Sequence, residues 1–552
     1  MKKAAFFILL LLMGSTILRA QNKLEDVNLT YGEELPDDRQ KIVKIVGEAN
    51  DKIYAIAIKG NDNFILKIFE SGSMKQISSK PIELPKMDKK EVDFEEVFIL
   101  SGKLFAIGSI YDNKEKAFKL VGTQISEDGI LSKNGTILFE AEVAKKKLRG
   151  DFYFQVSHDE SALLAMHVSS FPKEDAVKYE VKLFDDNLAT VFTNTEKVAF
   201  DDKKKKDFQF TVSDFQINYK HDVFLVINES YRDSKAKEKI ERFEVHAFKR
   251  ENNYTKEVTD INLKDKEIIN CSIIPTQQNT VKLVGFYSSV RDSGRANKEL
   301  KGVYNITMDA ATNTTTNIIF NEFDYATKVK LLGERRAKKG KDVQPNYNIH
   351  TIIEKEDGGL IILSEYQQLI FGESAGIGPL ALTSLTYIRN EIIVTSLKPD
   401  GSLDWSNVLP KEQSASVSTL SIGLGGAYAG GNFAVGMAVS IPLTQMGKGP
   451  EYLGAIPIYK SGGLNILIND NVKNKGITDI EEIKSMGNYN KAVPSLFIFD
   501  DSGAITRKDP EEVIKNELVL RPGVYYRKNS REYIVYSSRR KKDKLGRMIL
   551  EN

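Results

Sequence analysis

The chain has 552 residues, of which 41% are hydrophobic, and its 78 Lys and Arg residues nearly balance its 76 Asp and Glu residues. This composition excludes a disordered chain, and the balanced charge argues against a nucleic-acid-binding protein. The single cysteine, Cys271, excludes an internal disulfide framework and a structural zinc site built on several cysteines.

Residues 1–20 have the features of a secretory signal peptide. Lys2 and Lys3 precede an apolar run, and Ala20 is a small residue before the expected cleavage at Gln21. Cleavage would leave 75 basic residues against 76 acidic ones. We therefore expect an exported chain, located in the periplasm or associated with the outer membrane or cell surface, whose mature part, 21–552, forms a single domain.

One pattern recurs along the mature chain: a β-branched or aromatic run, a polar turn, a second apolar run, a polar loop and a third alternating run. The third run is followed by turns that contain Gly129, Gly401 and Gly503, and glycine supplies the positive φ of a tight hairpin. The second run is the easiest to follow, and it recurs at Ile53, Leu104, Leu163, Phe224, Val281, Leu360, Leu464 and Tyr533.

Repeats of four short antiparallel strands, without helical periodicity between them, are typical of β-propeller blades. The sequence therefore predicts an all-β, eight-bladed propeller, or a seven-bladed one if one repeat is spurious. The last repeat ends after its third strand, and VNLTY at 27–31 is the natural fourth strand that closes the ring. A sandwich or two stacked β-domains is the alternative fold, which the absence of a long linker disfavours.

The blade pattern is accompanied by the stretches EDGGLIILSEY, IIVTSLKPDGSLDWSNVLPK, GGLNILINDN and LGRMIL. Together they resemble a family of exported β-propeller-like proteins from Gram-negative bacteria whose function is not established. The resemblance implies the propeller architecture over most of the mature chain, and it supplies no activity.

The string GESAG at 372–376 matches the G-x-S-x-G nucleophile elbow of carboxylesterases. That chemistry needs a histidine after the serine, yet all five histidines precede Ser374. We interpret the string as the Gly-rich tip of an elongated hairpin between Leu360 and Leu397. The sequence also has no H-E-x-x-H motif and no histidine pair at i,i+4, so we expect no catalytic residue, metal site or cofactor.

Four further residues have structural interpretations. His167 and His246 lie in predicted strands and Cys271 in an apolar run, where buried structural roles are expected. Trp405, the only tryptophan, lies in an Asp-box-like stretch whose glycine is one place too early, and we interpret it as a core residue. A glycan hydrolase or lyase with two carboxylates at the channel mouth is the alternative function, although the sequence does not select the pair.

The segment 413–447 contains 35 residues without a charge, seven of them glycine. Bulky and small residues alternate in it with a period of two, which predicts an apolar hairpin rather than a membrane helix. Removing 414–450 restores the blade spacing, so we interpret this range as an insertion between blades six and seven. Its bulky residues are Leu420, Ile422, Leu424, Tyr428, Phe433, Val435, Met437, Val439 and Ile441.

The links between blades and the turns between second and third strands emerge on the same face of an up-and-down propeller. The insertion is such a link, and the uncharged stretch 374–388 is such a turn, so both should rise side by side as an apolar crown, 372–388 and 417–443. The same face receives the basic segments 145–149, 203–206, 235–239, 328–341 and 539–542.

These features predict a non-enzymatic binding or scaffold module of the bacterial cell envelope. The crown would bind an envelope protein or a membrane or anionic glycan surface, with Arg335, Arg336, Lys338 and Lys339 as an electrostatic flank. The alternative is that the insertion folds back over its own propeller and that the lysines are ordinary solvated residues.

Overall fold

The computed structural model of the chain contains eight sheets whose blade strands are antiparallel. Seven are built around consecutive strands, and the eighth combines the last three strands with the N-terminal ones. It describes residues 21–24, 27–60, 63–174, 176–199, 205–235, 239–263, 266–289, 299–371, 382–420, 433–435, 449–460, 462–509, 518–539 and 541–550. The predicted signal peptide, 1–20, lies outside the described residues.

The strands follow one another in chain order through the eight blades. The chain begins with β1 (Gln21–Leu24) and β2 (Val27–Tyr31), which belong to blade eight. Blade one contains β3 (Lys41–Ala49), β4 (Lys52–Lys59), β5 (Asn63–Glu70) and β6 (Gln76–Pro81). Blade two contains β7 (Asp93–Leu100), β8 (Lys103–Asp112), β9 (Ala117–Ile125) and β10 (Thr136–Glu142). Blade three contains β11 (Asp151–Val156), β12 (Ala162–Phe171), β13 (Ala176–Asp185) and β14 (Thr190–Ala199). Blade four contains β15 (Lys205–Ile217), β16 (Val223–Asp233), β17 (Lys239–Phe248) and β18 (Lys256–Asp260).

The second half of the ring has the same organisation. Blade five has a first strand in two pieces, β19 (Lys266–Ile268) and β20 (Ser272–Pro275), followed by β21 (Thr280–Ser289), β22 (Gly302–Asp309) and β23 (Thr315–Glu322). Blade six contains β24 (Tyr347–Glu354), β25 (Leu360–Phe371), β26 (Leu382–Leu397) and β27 (Leu403–Leu420). A short strand, β28 (Phe433–Val435), precedes blade seven, which contains β29 (Ala455–Lys460), β30 (Gly463–Asn471), β31 (Ala492–Phe499) and β32 (Ile505–Lys508). Blade eight contains β33 (Val519–Arg527), β34 (Glu532–Arg539) and β35 (Lys542–Leu550).

Helices are few among the described residues, and they lie in loops. The link between blades five and six forms α1 (Tyr325–Leu332) and α2 (Glu334–Lys338). Short 3-10 helices occupy Lys146–Leu148, Pro172–Glu174, Arg250–Asn252, Pro450–Tyr452, Val472–Asn474 and Tyr489–Lys491.

The predicted repeat is confirmed strand by strand. Each of the eight residues that mark the second run, from Ile53 to Tyr533, lies in the second strand of its blade. The expected turns are also present, because Gly129, Gly401 and Gly503 all have positive φ. The apolar alternation fixed these strands because both faces of each sheet are buried against neighbouring blades.

The core consists of apolar clusters between consecutive blades, which together close a ring. One cluster joins Ile56 of blade one to Leu104 of blade two and Tyr536 of blade eight. Others join blades two and three, three and four, four and five, five and six, six and seven, and seven and eight. The ring therefore has eight blades, as predicted.

The N-terminal strand completes the last blade. Strand β2 pairs antiparallel with β35, from Val27 opposite Leu550 to Tyr31 opposite Gly546, and so covers an edge that would otherwise be open. Strand β1 then pairs with β2 as a fifth strand. The predicted closure of the ring by 27–31 is confirmed.

This topology defines two faces. The links between blades and the turns between second and third strands lie on one face, which we call the upper face. The turns between first and second strands and between third and fourth strands lie on the opposite, lower face. The described residues that flank the insertion and the uncharged turn of blade six, and the described parts of the five basic segments, thus lie at the upper face.

Candidate binding face

Blade six differs from the other blades because its last three strands continue past its sheet. After irregularities in register near Glu365 and Asn390, the strands continue as a three-stranded extension of residues 367–371, 382–390 and 412–420, which we call the arm. The nine paired residues of 382–390 give it a length of about 30 Å. The predicted elongated hairpin is confirmed, since Leu360 pairs with Leu397, whereas GESAG at 372–376 lies outside the described residues.

One side of the arm packs on the molecule itself. Leu385, Tyr387, Ala415 and Val417 are buried in a cluster formed with residues from the upper loops and strand ends of blades seven and eight. Those partners are Leu453, Met486, Ala492 and Val519. Of the predicted crown, Leu385, Tyr387 and Val417 are therefore packed on the chain's own propeller.

The other side of the arm faces away from the ring. Gln368, Ile370 and Ser416 are exposed there, and the Ser416 hydroxyl lies 2.8 Å from the hydroxyl of Thr386 on the neighbouring strand. Ile370 has 43% of its surface exposed although it is apolar. Among the described side chains, this outer side is a short, mostly polar sheet surface whose apolar residues are the exposed Ile370 on the edge strand and the half-buried Ile388.

Hydrogen bonds to backbone groups hold the base of the arm to blade seven. The side chain of Gln413 donates to the carbonyl of Asn469 at 2.7 Å and accepts from the amide of Gly454 at 2.8 Å. The amide of Met486 donates to the carbonyl of Glu412 at 2.9 Å, and the Tyr489 hydroxyl donates to the carbonyl of Ser414. Because these bonds fix both strand β27 and its partner loops, the arm has one defined direction.

A buried ion pair lies at the root of the arm. Lys411 donates to Glu365 Oε1 at 2.8 Å, and Arg389 Nη1 lies 3.4 Å from Glu365 Oε2. Burial alone would raise the pKa of Glu365, but the two cations overcome it and lower the pKa to about 2. Glu365 is therefore charged at neutral pH and fixes the three strands where the arm leaves the blade.

A second buried ion pair lies just after the insertion, where the described chain resumes. Arg521 Nη1 lies 2.9 Å from Glu451 Oε1, and its guanidinium stacks over the rings of Tyr452 and Tyr536. Tyr452 in turn stacks on Tyr489. These contacts hold residues 449–454 between blades seven and eight.

The insertion touches the ring at a third place. The backbone of strand β28 pairs in parallel with β15, Phe433 opposite Phe210 and Val435 opposite Val212, on the inner edge of blade four. Residues 433–435 therefore lie beside blade four, whereas the described residues before and after the insertion belong to blades six and seven. Of the other predicted crown residues, Leu420 ends β27, whereas Ile422, Leu424, Tyr428, Met437, Val439 and Ile441 lie outside the described residues.

The predicted basic flank is helical, which differs from the expectation that no helix separates the strands. Asp324 caps α1 by accepting from the amide of Thr327 at 2.7 Å, and Gly333, with φ of 77°, separates the two helices. Residues 325–341 contain seven basic residues and one acidic residue, a composition that concealed the short apolar face of α1. Lys330 donates to the side chain of Asn407, so this link packs on strand β27 of blade six.

The four predicted flank residues are close together in α2 and at its end. Arg335, Lys338 and Lys339 are exposed and Arg336 is half-buried. Lys338 is paired with Glu334 at 2.8 Å, an exposed pair of small energetic value. Lys328 does not belong to this surface, because it is buried and paired with Glu322 at 2.7 Å.

A serine, a histidine and an aspartate meet on the lower face, which the sequence analysis missed. Ser161 Oγ lies 3.1 Å from His221 Nε2, and both carboxylate oxygens of Asp159 lie 3.3 Å from the same nitrogen. Ser161 also donates to Asp159 at 2.8 Å. A nucleophilic triad needs the acid and the serine on opposite ring nitrogens, so this trio joins the turns of blades three and four and does not activate the serine.

The two histidines and the cysteine have the buried structural roles that were predicted, whereas Trp405, predicted as a core residue, is half-buried at the edge of the cluster between blades six and seven. The Nε2–H of His167 donates to the carbonyl of Arg149 at 2.6 Å, and burial lowers the pKa of this histidine to about 4, so it is neutral. His246 lies between Tyr179 and Glu244, at 3.1 Å from each. Cys271 is buried, and Trp405 stacks on Phe499.

Two carboxylates lie on neighbouring innermost strands near the upper face. Burial raises the pKa of Glu95 on β7 and that of Asp151 on β11. The negative charges of Asp151 and Asp93 also raise the pKa of Glu95, while Arg149 lowers the pKa of both carboxyls. The Ser109 hydroxyl donates to Glu95. A raised carboxyl pKa is a property of general acids, so this pair is the observation that bears on the alternative function.

Two features are absent from the described part of the chain. None of its helices is both long and apolar enough to cross a membrane. Within the same ranges, no three His, Cys, Asp or Glu side chains are placed so that they could hold a metal ion.

No protein-family model matches the chain, and no curated protein matches its sequence. Among solved structures, the chain is similar to the Dos1 propeller, with 8% identity over 95% of each chain and a TM-score of 0.37. It is also similar to the β-propeller domain of the Trilobed protease from Pyrococcus furiosus, with 8% identity, 71% of this chain and 99% of that chain covered, and a TM-score of 0.31. A putative 6-phosphogluconolactonase from Bacteroides fragilis covers 89% of this chain and 99% of its own, at 10% identity and a TM-score of 0.30. The strand order described above, in which eight sheets close a ring, makes the chain a β-propeller.

Proposed function

We propose that this chain is an exported, non-enzymatic propeller that serves as a binding or scaffold module in the bacterial cell envelope. The observation that carries the proposal is the arm, since it is the part of blade six that the ring does not need for its own closure. Its inner side packs against blades seven and eight, so the outer side, around Ile370 and Ser416, is the surface that remains exposed and can bind a partner.

The helical basic link adds exposed positive charges next to this surface. It packs on blade six through Lys330 and Asn407 and presents Arg335, Lys338 and Lys339 to solvent next to the blade that bears the arm. Exposed cations of this kind contribute to the rate of encounter and to orientation more than to affinity. A partner with an anionic surface beside an extended or apolar contact would suit both features.

The experiment compares an arm variant with a matched control in cells that produce the full chain. Ile370→Lys with Ser416→Lys places two charges on the outer side and leaves the buried side intact, and Val258→Lys changes an equally exposed apolar residue of outer strand β18. Envelope fractionation and in-cell crosslinking should show partner complexes in the wild type and the control, and none in the arm variant.

The outcomes separate the parts of the proposal. N-terminal sequencing that finds no mature chain beginning at Gln21, together with a cytoplasmic location, would contradict export. Crosslinked complexes that are unchanged in the arm variant would contradict the assignment of the surface.

A carboxylate-dependent glycan hydrolase or lyase is the second candidate, favoured by Glu95 and Asp151 alone. It requires turnover of an acidic polysaccharide that is abolished by Glu95→Gln and retained in Glu142→Gln, a change of an exposed acid of β10. We expect no turnover with either protein, because strand β28 lies on the inner edge of blade four and narrows the axial space a polysaccharide would need.

A further inference from the structure

The lower face contains a cleft that no feature of the arm explains. It lies where blades four and five meet and has a volume of about 230 Å³. Its walls come from two turns of blade four and two turns of blade five. The lining residues are Lys220, Asp222, Arg250, Glu251, Asn279, Ala310 and Ala311.

Hydrogen bonds within the turns set the positions of its cations. The nearly buried Asp222 carboxylate accepts from the Asn218 side chain at 3.0 Å and from the amide of Arg250 at 2.9 Å. The second bond ties the turn that carries Lys220 to the turn that carries Arg250. Both cationic side chains thus line one cleft, and among the described residues neither has an ion-pair partner.

The floor of the cleft is equally well fixed. The amide of Ala310 donates to the carbonyl of Asn279 at 3.1 Å, and the buried Lys249 donates to the carbonyl of Ala311. Lys249 is also paired with Glu257 at 3.2 Å, so its charge is used within the protein. Small side chains at 310 and 311 leave the space open.

The polar groups of the cleft point to the chemistry of a ligand. The Arg250 guanidinium and the Lys220 ammonium line the cleft together with the Asp222 and Glu251 carboxylates. Such cations suit a carboxylate ligand, which arginine can hold with two parallel hydrogen bonds. The Asn279 amide and the exposed Glu251 carboxylate can accept from hydroxyl groups. We propose that this cleft binds the uronic acid unit of an acidic saccharide, with its carboxylate on Arg250 and Lys220 and its hydroxyls on Asn279 and Glu251.

This proposal goes beyond the function proposed for the arm and does not depend on it, because the two surfaces lie on opposite faces of the ring. The probe is D-glucuronate, measured by saturation-transfer NMR titration against D-glucose, acetate and inorganic phosphate. We expect saturable binding of glucuronate that is at least fivefold tighter than that of the three other compounds.

Three variants test the position of the site. Arg250→Ala should weaken glucuronate binding at least tenfold, and Ala311→Leu should do the same by filling the cleft without changing a charge. Lys133→Ala removes an exposed cation from the corresponding turn of blade two and should change binding less than twofold. Thermal melting of each variant identifies those that are folded, and Ala311→Leu keeps the test valid if Arg250→Ala is not.

Several results would overturn the proposal. Equal affinity for glucuronate and acetate would show a simple charge effect, and phosphate binding as tight as glucuronate binding would show a general anion site. Absence of saturable binding, or binding that survives Ala311→Leu in a folded protein, would show that the cleft does not hold the sugar.

Discussion

Lys411 donates a 2.8 Å hydrogen bond to Glu365 across strand β26, and neither side chain is exposed to solvent. Lys411 also donates to the carbonyl of Arg389 at 2.8 Å, so one ammonium joins β25, β26 and β27 at the point where the arm begins. Two charges at this depth are tolerated because each is surrounded by hydrogen-bonding partners.

Replacing one member of this pair should be more harmful than replacing both. Lys411→Met leaves the Glu365 carboxylate buried with Arg389 as its remaining cation, and we expect a loss of about 3 kcal/mol in the free energy of unfolding. Lys411→Met with Glu365→Leu removes both charges and should recover most of that loss. Denaturant titration of the three proteins measures the difference, and a double variant no more stable than the single one would contradict this account.

A second buried acid has the opposite electrostatic balance. Burial raises the pKa of Asp214 to about 7 from an ordinary value of 3.8, although its oxygens accept from the amides of Ile273 and Phe215. The folded protein therefore holds a proton that the unfolded chain has lost, and the contribution of Asp214 to stability falls as the pH rises from about 4 to about 7. Asp214→Asn should remove this part of the pH dependence. Unfolding at pH 5 and pH 8 measures it, and an unchanged difference between the two pH values would contradict the assignment.

The sequence predicted the ring because each blade repeats the same local pattern. The runs around Ile53 and Tyr533 can be predicted as strands because the alternation of apolar residues is a local property of the sequence. The cluster that contains Leu385 and Met486 is not local, and the sequence has no signal that brings together two segments separated by a hundred residues.

The burial of charged residues was the feature that the sequence predicted least well. Lys411, Glu365 and Lys328 look like ordinary surface residues in the sequence, and the structure buries all three with partners from other strands or turns. The helical link was missed for a related reason, because its basic residues dominate the pattern of α1. The cleft between blades four and five is formed by four turns whose proximity follows only from the closed ring.

Asparagine side chains bind the turns of neighbouring blades, and the clearest case is Asn321. Its amide donates to the carbonyl of Gly401 at 2.9 Å, and its oxygen accepts from the amide of Leu403 at 2.9 Å. Asn321→Ala removes both bonds and should lower the free energy of unfolding by about 2 kcal/mol. Asn321→Asp keeps the acceptor for Leu403 but places a carboxylate oxygen against the carbonyl oxygen of Gly401, so it should cost at least as much at neutral pH. A smaller loss in Asn321→Asp than in Asn321→Ala would contradict the role given to the bond to Gly401.

Gly503 is needed for two reasons that a control can separate. Its φ is 79°, and a Cβ atom at this position would lie 2.5 Å from the ring of Trp405. Gly476 has nearly the same φ, 76°, with open space around it. Gly476→Ala should cost about 1 kcal/mol of backbone strain, whereas Gly503→Ala should cost about 2 kcal/mol more because the indole must move. Tryptophan fluorescence, which reports Trp405 alone, should shift only in the Gly503 variant.

Closure of the ring by β2 makes a prediction about truncation. Val27, Leu29 and Tyr31 are buried in the cluster between blades seven and eight, and the Tyr31 hydroxyl donates to Ser537 at 3.0 Å. A chain lacking 21–31 loses this apolar contact, worth about 5 kcal/mol, and exposes the backbone edge of β35. We expect a lower melting temperature and concentration-dependent aggregation, measured by light scattering.

The matched control for that truncation is a chain lacking only 21–24. It loses β1, which pairs with β2 on the outer side of the sheet, and β2 remains in place over β35. This shorter truncation should melt close to the full chain and stay monodisperse. If it aggregated as strongly as the longer truncation, the protective strand would be β1, and the role given to β2 in closing the ring would be wrong.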